Sequence, residues 1–182
     1  EGTSWVWMAA ALLAAGLLAQ EFSLASANKR LRDQIIYSAS ERVRVGSMTG
    51  QLTGFGLSGE RVTQRTHGRE TSTLLIGLSP SCGACIENLA AWGRIAEVAQ
   101  RQAVAVVLVS RETPEATAEF LAGSAIDGTV IADPTYDTYR QVKLGAVPQT
   151  VLVDPFGVIQ RVWPGPIDGV TEAAILAEIG KR

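Results

Sequence analysis

Cys82 and Cys85 are the two cysteines of this 182-residue chain, and they stand together in Ser79-Pro-Ser-Cys-Gly-Ala-Cys85. Two thiols at this spacing can cycle between dithiol and disulfide, because a thiolate attacks a disulfide through a mixed-disulfide intermediate. A single pair cannot form the multiple bridges that staple small secreted folds. It could instead supply half of a zinc site, but zinc takes four ligands and there is no second pair. Copper delivery would call for imidazole or thioether close by; His67 is the one histidine, and Met8 and Met48 are the only methionines. Two inert cysteines packed in a helix remain a further reading.

What separates these readings is the surroundings of the pair. Residues 73–78, TLLIGL, form a continuous apolar run of strand length just ahead of it, and residues 86–102 have the length and periodicity of a helix just after it. A turn from strand into helix places both sulfurs at a helix N-terminus. There the unpaired N–H groups and the macrodipole favour an anion. Cysteines in such motifs commonly have their pKa lowered from about 8.5 to between roughly 3.5 and 7.5. Cys82, at the mouth, is the expected exposed nucleophile. Cys85, one turn further in, is the expected buried resolving thiol.

Further elements follow in regular order. Residues 104–109 repeat the uninterrupted apolar character of 73–78, which implies strands covered on both faces. Thr113-Pro114 signals an N-cap and first-turn proline, opening a helix through Leu121 that Gly123 closes. A short strand is expected at 129–132, a helix at 136–144 and strands at 150–153 and 158–162, joined into a hairpin by the turn Asp154-Pro-Phe-Gly157. A last helix covers about 170–179. Upstream, Gly46, Gly50, Gly54, Gly56 and Gly59 punctuate turns around short strands. Strands alternating with helices and ending in a hairpin and a helix predict an α/β sandwich with a mixed sheet over residues 46–182.

The N-terminal part differs in composition. Residues 5–19, WVWMAAALLAAGLLA, are apolar without interruption, with Trp5 and Trp7 suited to an aromatic belt. The expected role of residues 1–21 is a transmembrane anchor helix, although the run is short for a span of about 20 residues. A cleaved signal peptide, an interfacial or partner-packed helix and a buried helix are the alternatives. Residues 22–45 read as a stalk or linker. Lys29, Arg30 and Arg32 follow the apolar run, which by the positive-inside rule alone would keep the domain in the cytoplasm, although large domains translocate largely regardless of charge. The net charge of −2 provides no basic field for a phosphate backbone, so nucleic acid is not an expected partner.

The second diagnostic segment is Gly145-Ala-Val-Pro-Gln-Thr-Val-Leu-Val-Asp154, with Val147-Pro148 just before a buried strand. Alone, such a proline reads as a strand-edge residue. Together and in this order, SPSCGAC and AVPQTVLVDPFG resemble the thioredoxin superfamily over about residues 46–181. The chain looks most like its membrane-anchored, periplasm-facing group of cytochrome c maturation thioredoxins and the methylamine-utilisation disulfide protein, whose Leu-Ser-Pro lead-in matches Leu78-Ser-Pro80. The resemblance implies a thioredoxin-like fold, a cis Pro148 packed against a redox-active Cys82–Cys85 disulfide, and a Val147 backbone offered to an extended substrate. It further implies thiol–disulfide exchange with exported proteins, no separate cofactor, a membrane redox partner or membrane protein complex, and a single-pass location in a bacterial inner membrane with the domain in the periplasm.

The chain also departs from the superfamily pattern. Ser81 stands where thioredoxins usually carry tryptophan, Ile76 where a buried acid often serves the inner thiol, and Ile86 where lysine is common; Gly83-Ala84 matches none of the familiar dipeptides between the cysteines. The residues favour a thiol–disulfide oxidoreductase and leave open a redox-idle accessory or assembly subunit of a membrane complex. A peroxidase is a lesser alternative.

Overall fold

The computed structural model describes residues 43–181, together with Trp7, Gly16, Gln20, Glu21 and Leu24. The chain divides into two units, Glu1–Ser40 and Glu41–Arg182. In the first, those five residues are helical and exposed. The rest of the expected anchor at 1–21, and the rest of the expected linker up to residue 42, lie outside the described residues. Among the described residues, no helix is long and apolar enough to cross a membrane.

The second unit runs β1 (Gln51–Phe55), β2 (Arg61–Arg65), β3 (Thr73–Leu78), α1 (Gly83–Arg101), β4 (Ala105–Ser110), α2 (Pro114–Leu121), β5 (Thr129–Ile131), α3 (Tyr136–Val142), β6 (Gln149–Val153), β7 (Ile159–Pro164) and α4 (Gly169–Ile179). The central sheet has five strands in the order β5-β4-β3-β6-β7. β3, β4 and β5 are parallel, whereas β6 is antiparallel to both β3 and β7. This is the mixed sheet and thioredoxin-like α/β arrangement expected from the sequence. β1 and β2 form a separate antiparallel hairpin, tied to the main sheet by a bridge from Phe55 to Ala132.

Burial explains why β3 is apolar without alternation, since all six of its residues are buried. Successive side chains point to opposite faces of a strand. Leu74, Ile76 and Leu78 join Val106, Leu108 and Leu152 beneath Trp92, Ile95 and Ala96 of α1 and Ile175 and Ile179 of α4. Leu75 faces the other way, with Val107, Val109, Val151 and Val153, against Leu52 of β1, Val142 of α3 and Leu144. Gly77 is required by a close approach: a Cβ there would lie 2.9 Å from Cγ of Gln149, its partner across the β3–β6 register.

The remaining boundaries moved slightly. α1 begins at Gly83 rather than 86, because the motif residues themselves form its first turn. α3 ends at Val142 rather than 144; Lys143 takes the left-handed conformation at φ 52°. The Asp154 turn is closed by its own carboxylate, which accepts bonds from the Phe156 and Val158 amides at 2.9 Å each and from the Gln160 side chain at 2.7 Å.

Candidate active site

β3 delivers the chain to Ser79, which is fully buried, and the Cys82 amide then donates back to the Ser79 carbonyl at 3.0 Å. That tight turn ends on Cys82 in the N-cap position of α1, with extended backbone at φ −98° and ψ 111°. Its carbonyl accepts the amides of Cys85 at 2.9 Å and Ile86 at 3.3 Å. Its side chain makes no capping bond, so the sulfur sits at the helix mouth beside N–H groups that the helix itself cannot satisfy.

Three hydrogen bonds from Trp92 and Asn88 hold α1 in this position. The Trp92 indole is fully buried and donates to Thr150 Oγ1 at 3.0 Å, which links the middle of α1 to β6. Buried Asn88 donates to the Gly165 carbonyl at 3.3 Å and accepts the Ile167 amide at 2.8 Å, linking α1 to the β7–α4 loop. The Gly165 amide in turn donates to the Pro148 carbonyl at 2.8 Å. The loop after β7 therefore connects the helix that carries the cysteines to the segment that carries Pro148.

The peptide bond between Val147 and Pro148 is cis. The half-buried Cys82 thiol points at the Val147 carbonyl, with Sγ to O at 3.9 Å. Gln149, next along, is buried and donates from Nε2 to the carbonyls of Val142 at 2.5 Å and Lys143 at 3.3 Å, closing the end of α3. All four residues singled out in the sequence thus meet in one place. Cys82 touches Val147 directly, Pro148 lies between Val147 and Gln149, and Cys85 shares a hydrogen bond with Cys82.

Cys85 is fully buried and belongs to the apolar cluster that also contains Ile76 and Leu78. Burial, then its hydrogen bond to Cys82 and the repulsion between the two sulfurs, push its pKa up to about 12; the Ser79 amide and the positive charge of Arg111 act in the opposite direction. At neutral pH it is therefore a thiol. Ile76, at the position where an acid often serves the inner thiol, is fully buried and supplies no proton acceptor.

A carboxylate does reach the site from a direction that the sequence reading overlooked. Glu112 Oε1 accepts the hydroxyl of Ser79 at 2.9 Å and that of Ser81 at 3.3 Å, and the two hydroxyls are 2.9 Å apart. Arg111 Nε lies 3.6 Å from the same oxygen. The signal lay in the parallel pairing of two apolar runs of equal length. Leu78 is in register with Ser110, so Ser79 to Cys82 and Arg111 to Glu112 leave the sheet at the same edge. Among the described residues, no three His, Cys, Asp or Glu side chains converge as they would around a metal ion.

No curated protein sequence matches the chain. Among solved structures, it is similar to the thioredoxin domain of a thiol-disulfide oxidoreductase from Bacteroides vulgatus, at 18% identity and a TM-score of 0.58, covering 75% of this chain and 97% of that one. It is also similar to a secreted Mycobacterium tuberculosis disulfide oxidoreductase homologous to E. coli DsbE, at 17% identity and a TM-score of 0.56, covering 71% and 95%. A third is StoA from Bacillus subtilis, at 15% identity and a TM-score of 0.56, covering 72% and 97%. At these identities the likeness is one of fold. The sequence of residues 46–162 matches the AhpC/TSA family, and the chain, with its thioredoxin-like sheet and its dithiol at the mouth of α1, belongs to that family.

Proposed function

We propose that this protein is a thiol–disulfide oxidoreductase that acts on protein thiols and disulfides through Cys82 and Cys85. The observation that carries this reading is the placement of the Cys82 sulfur at an uncapped helix mouth, against the Val147 carbonyl beside cis Pro148, with a buried second thiol at its back. In the reducing direction the Cys82 thiolate attacks a substrate disulfide. A Cys82–substrate bond forms, and the first substrate sulfur leaves and takes up a proton. Cys85 then loses its proton and attacks Cys82, which forms the Cys82–Cys85 disulfide and expels the second substrate sulfur as a thiol. Two electrons pass to the substrate, and the reverse sequence oxidises a substrate dithiol. The Val147 backbone provides an edge along which an extended substrate segment can lie. No cofactor beyond the cysteine pair takes part.

The N-terminal apolar run and the resemblance to periplasm-facing thioredoxins support a wider setting. In it, residues 1–21 hold the domain at a bacterial inner membrane, facing the periplasm, where a membrane redox partner or complex exchanges electrons with it. Two of the similar structures are a thiol-disulfide oxidoreductase and a disulfide oxidoreductase, which agrees with this chemistry.

The test uses the reduced full chain with glutathione disulfide, followed by mass spectrometry. The wild type is expected to end as an intramolecular disulfide, Cys85→Ser to stop at the mixed disulfide and Cys82→Ser to form none. Because Cys85 holds its proton up to about 12, the second step is expected to accelerate as pH rises through the neutral and alkaline range. A wild type that stays reduced, together with a Cys85→Ser chain that forms no mixed disulfide, overturns the proposal. The apolar Ile76 beside Cys85 supports a second reading, a redox-idle accessory subunit of a membrane complex. A chain with both cysteines replaced by serine that still supports its host complex would favour that reading.

A further inference from the structure

The resolving step proposed above requires a buried thiol to lose its proton, and the strand position that often carries an acid holds Ile76. The other members of the Cys85 cluster from the packed elements, such as Leu78 of β3, Leu108 of β4, Leu152 of β6 and Ile175 of α4, are apolar. The charged or titratable groups that act on Cys85 are Cys82 from its own loop and Arg111 from the exit of β4; the Ser79 amide adds a hydrogen bond to its sulfur.

Both groups that favour the thiolate, Ser79 and Arg111, end on one carboxylate. The Ser79 hydroxyl donates to Glu112 Oε1 at 2.9 Å, and Arg111 Nε stands 3.6 Å from that oxygen. The backbone that carries this carboxylate is itself tied down. The Glu112 amide donates to Ser110 Oγ at 3.3 Å, Ser110 Oγ also accepts the buried Thr117 hydroxyl at 2.8 Å, and the Glu112 carbonyl accepts the Asp133 amide at 2.8 Å. Ser81, standing where thioredoxins usually carry tryptophan, gives Glu112 a second hydroxyl at 3.3 Å, which an indole in that place could not donate in the same manner.

We infer that Glu112 is a positioning residue for the resolving step: it anchors the Ser79 turn ahead of Cys82 and the Arg111 guanidinium at the exit of β4. It acts through these two neighbours and stands in, from the adjacent parallel strand, for the acid that β3 lacks. This inference rests on the oxidoreductase reading for its consequence, but the arrangement of groups can be tested without turnover.

The experiment measures, in the full chain, how fast Cys85 resolves the Cys82–glutathione mixed disulfide between about pH 6 and pH 10. In Glu112→Ala, Ser79 and Arg111 are both released. Its curve is expected to move up by about one pH unit, with a rate roughly 10-fold lower at neutral pH, one pKa unit being a factor of ten in thiolate. Glu112→Gln keeps an acceptor oxygen for the two serines but loses the charge that holds Arg111, so its curve is expected between those of the wild type and Glu112→Ala. Ser79→Ala is expected to shift the curve in the same direction as Glu112→Ala. Formation of the mixed disulfide at Cys82 is expected to keep its rate in all three. A Glu112→Ala curve that overlies the wild type overturns the inference, and so does an equal fall in the rate of mixed-disulfide formation at Cys82, which a merely structural role would produce. If the wild type stays reduced and Cys85→Ser forms no mixed disulfide, the functional reading fails by itself. The pH dependence of Cys85 alkylation by iodoacetamide in a Cys82→Ser chain, with and without Glu112→Ala, then still decides the inference: an upward shift supports it and superposition overturns it.

Discussion

The mouth of α1 differs from the mouths of α2, α3 and α4. Those three each begin with a side-chain cap: Thr113 accepts the Ala116 amide at 3.3 Å, Thr135 the Thr138 amide at 3.4 Å and Asp168 the Thr171 amide at 2.7 Å. α1, the longest described helix, has Cys82 in that position and no capping bond. Caps of the Ser, Thr or Asp kind satisfy one of the orphan donors and stabilise a helix by about 1 kcal/mol. At α1 that stabilisation is absent, and the donors are left facing a sulfur that can carry negative charge. The helix is held from its flank instead, by Asn88 and Trp92. Three mouths serve the fold, and the fourth is open for chemistry.

The largest effect should come from making the fourth mouth resemble the others. Cys82→Ser supplies an oxygen of the type that caps α2 and α3. Exchange with glutathione disulfide is expected to disappear, while denaturant unfolding shows the chain more stable by about 1 kcal/mol. Gain of stability with loss of exchange would mark the open mouth as a functional compromise of the kind common at active sites. If stability fell, the cysteine would be contributing packing at this position that outweighs a cap, and the contrast between α1 and the other helices would lose its meaning.

How far the sequence carried this contrast depends on the range of each interaction. The Cys-Gly-Ala-Cys turn, the Thr113-Pro114 start and the hairpin around Asp154 are local signals, and each lies where its residues placed it. The apolar runs of β3 and β4 were legible because both faces of those strands are covered. Two features depend on distant partners and were not legible. The end of α3 is closed by Gln149, seven residues downstream and across the loop, so the helix stops short of its apolar pattern. Glu112 meets Ser79 and Ser81 only once β3 and β4 pair in parallel, and no local pattern records that meeting. The cis bond at Pro148 lies between these cases. A proline ahead of a strand reads as an ordinary edge residue, and only the resemblance to thioredoxins, resting on both motifs together, pointed to cis.

Removing the ordinary caps is expected to have a smaller effect, confined to stability. Thr113→Ala and Thr135→Ala should each cost about 1 kcal/mol in denaturant unfolding. Thr135 is the sharper of the two, because its hydroxyl also donates to Thr138 Oγ1 at 3.1 Å, which in turn accepts the Thr53 amide of β1 at 2.7 Å. Neither substitution should change the rate of mixed-disulfide formation at Cys82. A large loss of exchange in Thr113→Ala would show that the α2 mouth, next to Glu112, is coupled to the site.

The smallest effect concerns pH and separates the caps from one another. The threonine caps carry no titrating group, whereas the Asp168 carboxylate is held below its usual range by the Thr171 hydroxyl and amide, which bond its charged form. A lowered carboxylate pKa means that the folded chain binds a proton less readily than the unfolded chain does. The contribution of Asp168 is therefore fully present above its ordinary pKa of 3.8 and is lost as pH falls through the lower folded value. In Asp168→Asn the amide oxygen still caps but does not titrate. The stability difference between wild type and Asp168→Asn is expected to be constant from neutral pH down to about 5 and to shrink below that, since linkage acts only where the two protonation curves differ. Hydrogen exchange at the Thr171 amide, compared in the two chains across that acid range, gives the local readout. Equal acid sensitivity in the two chains would mean that the Asp168 charge adds nothing to its geometry as a cap.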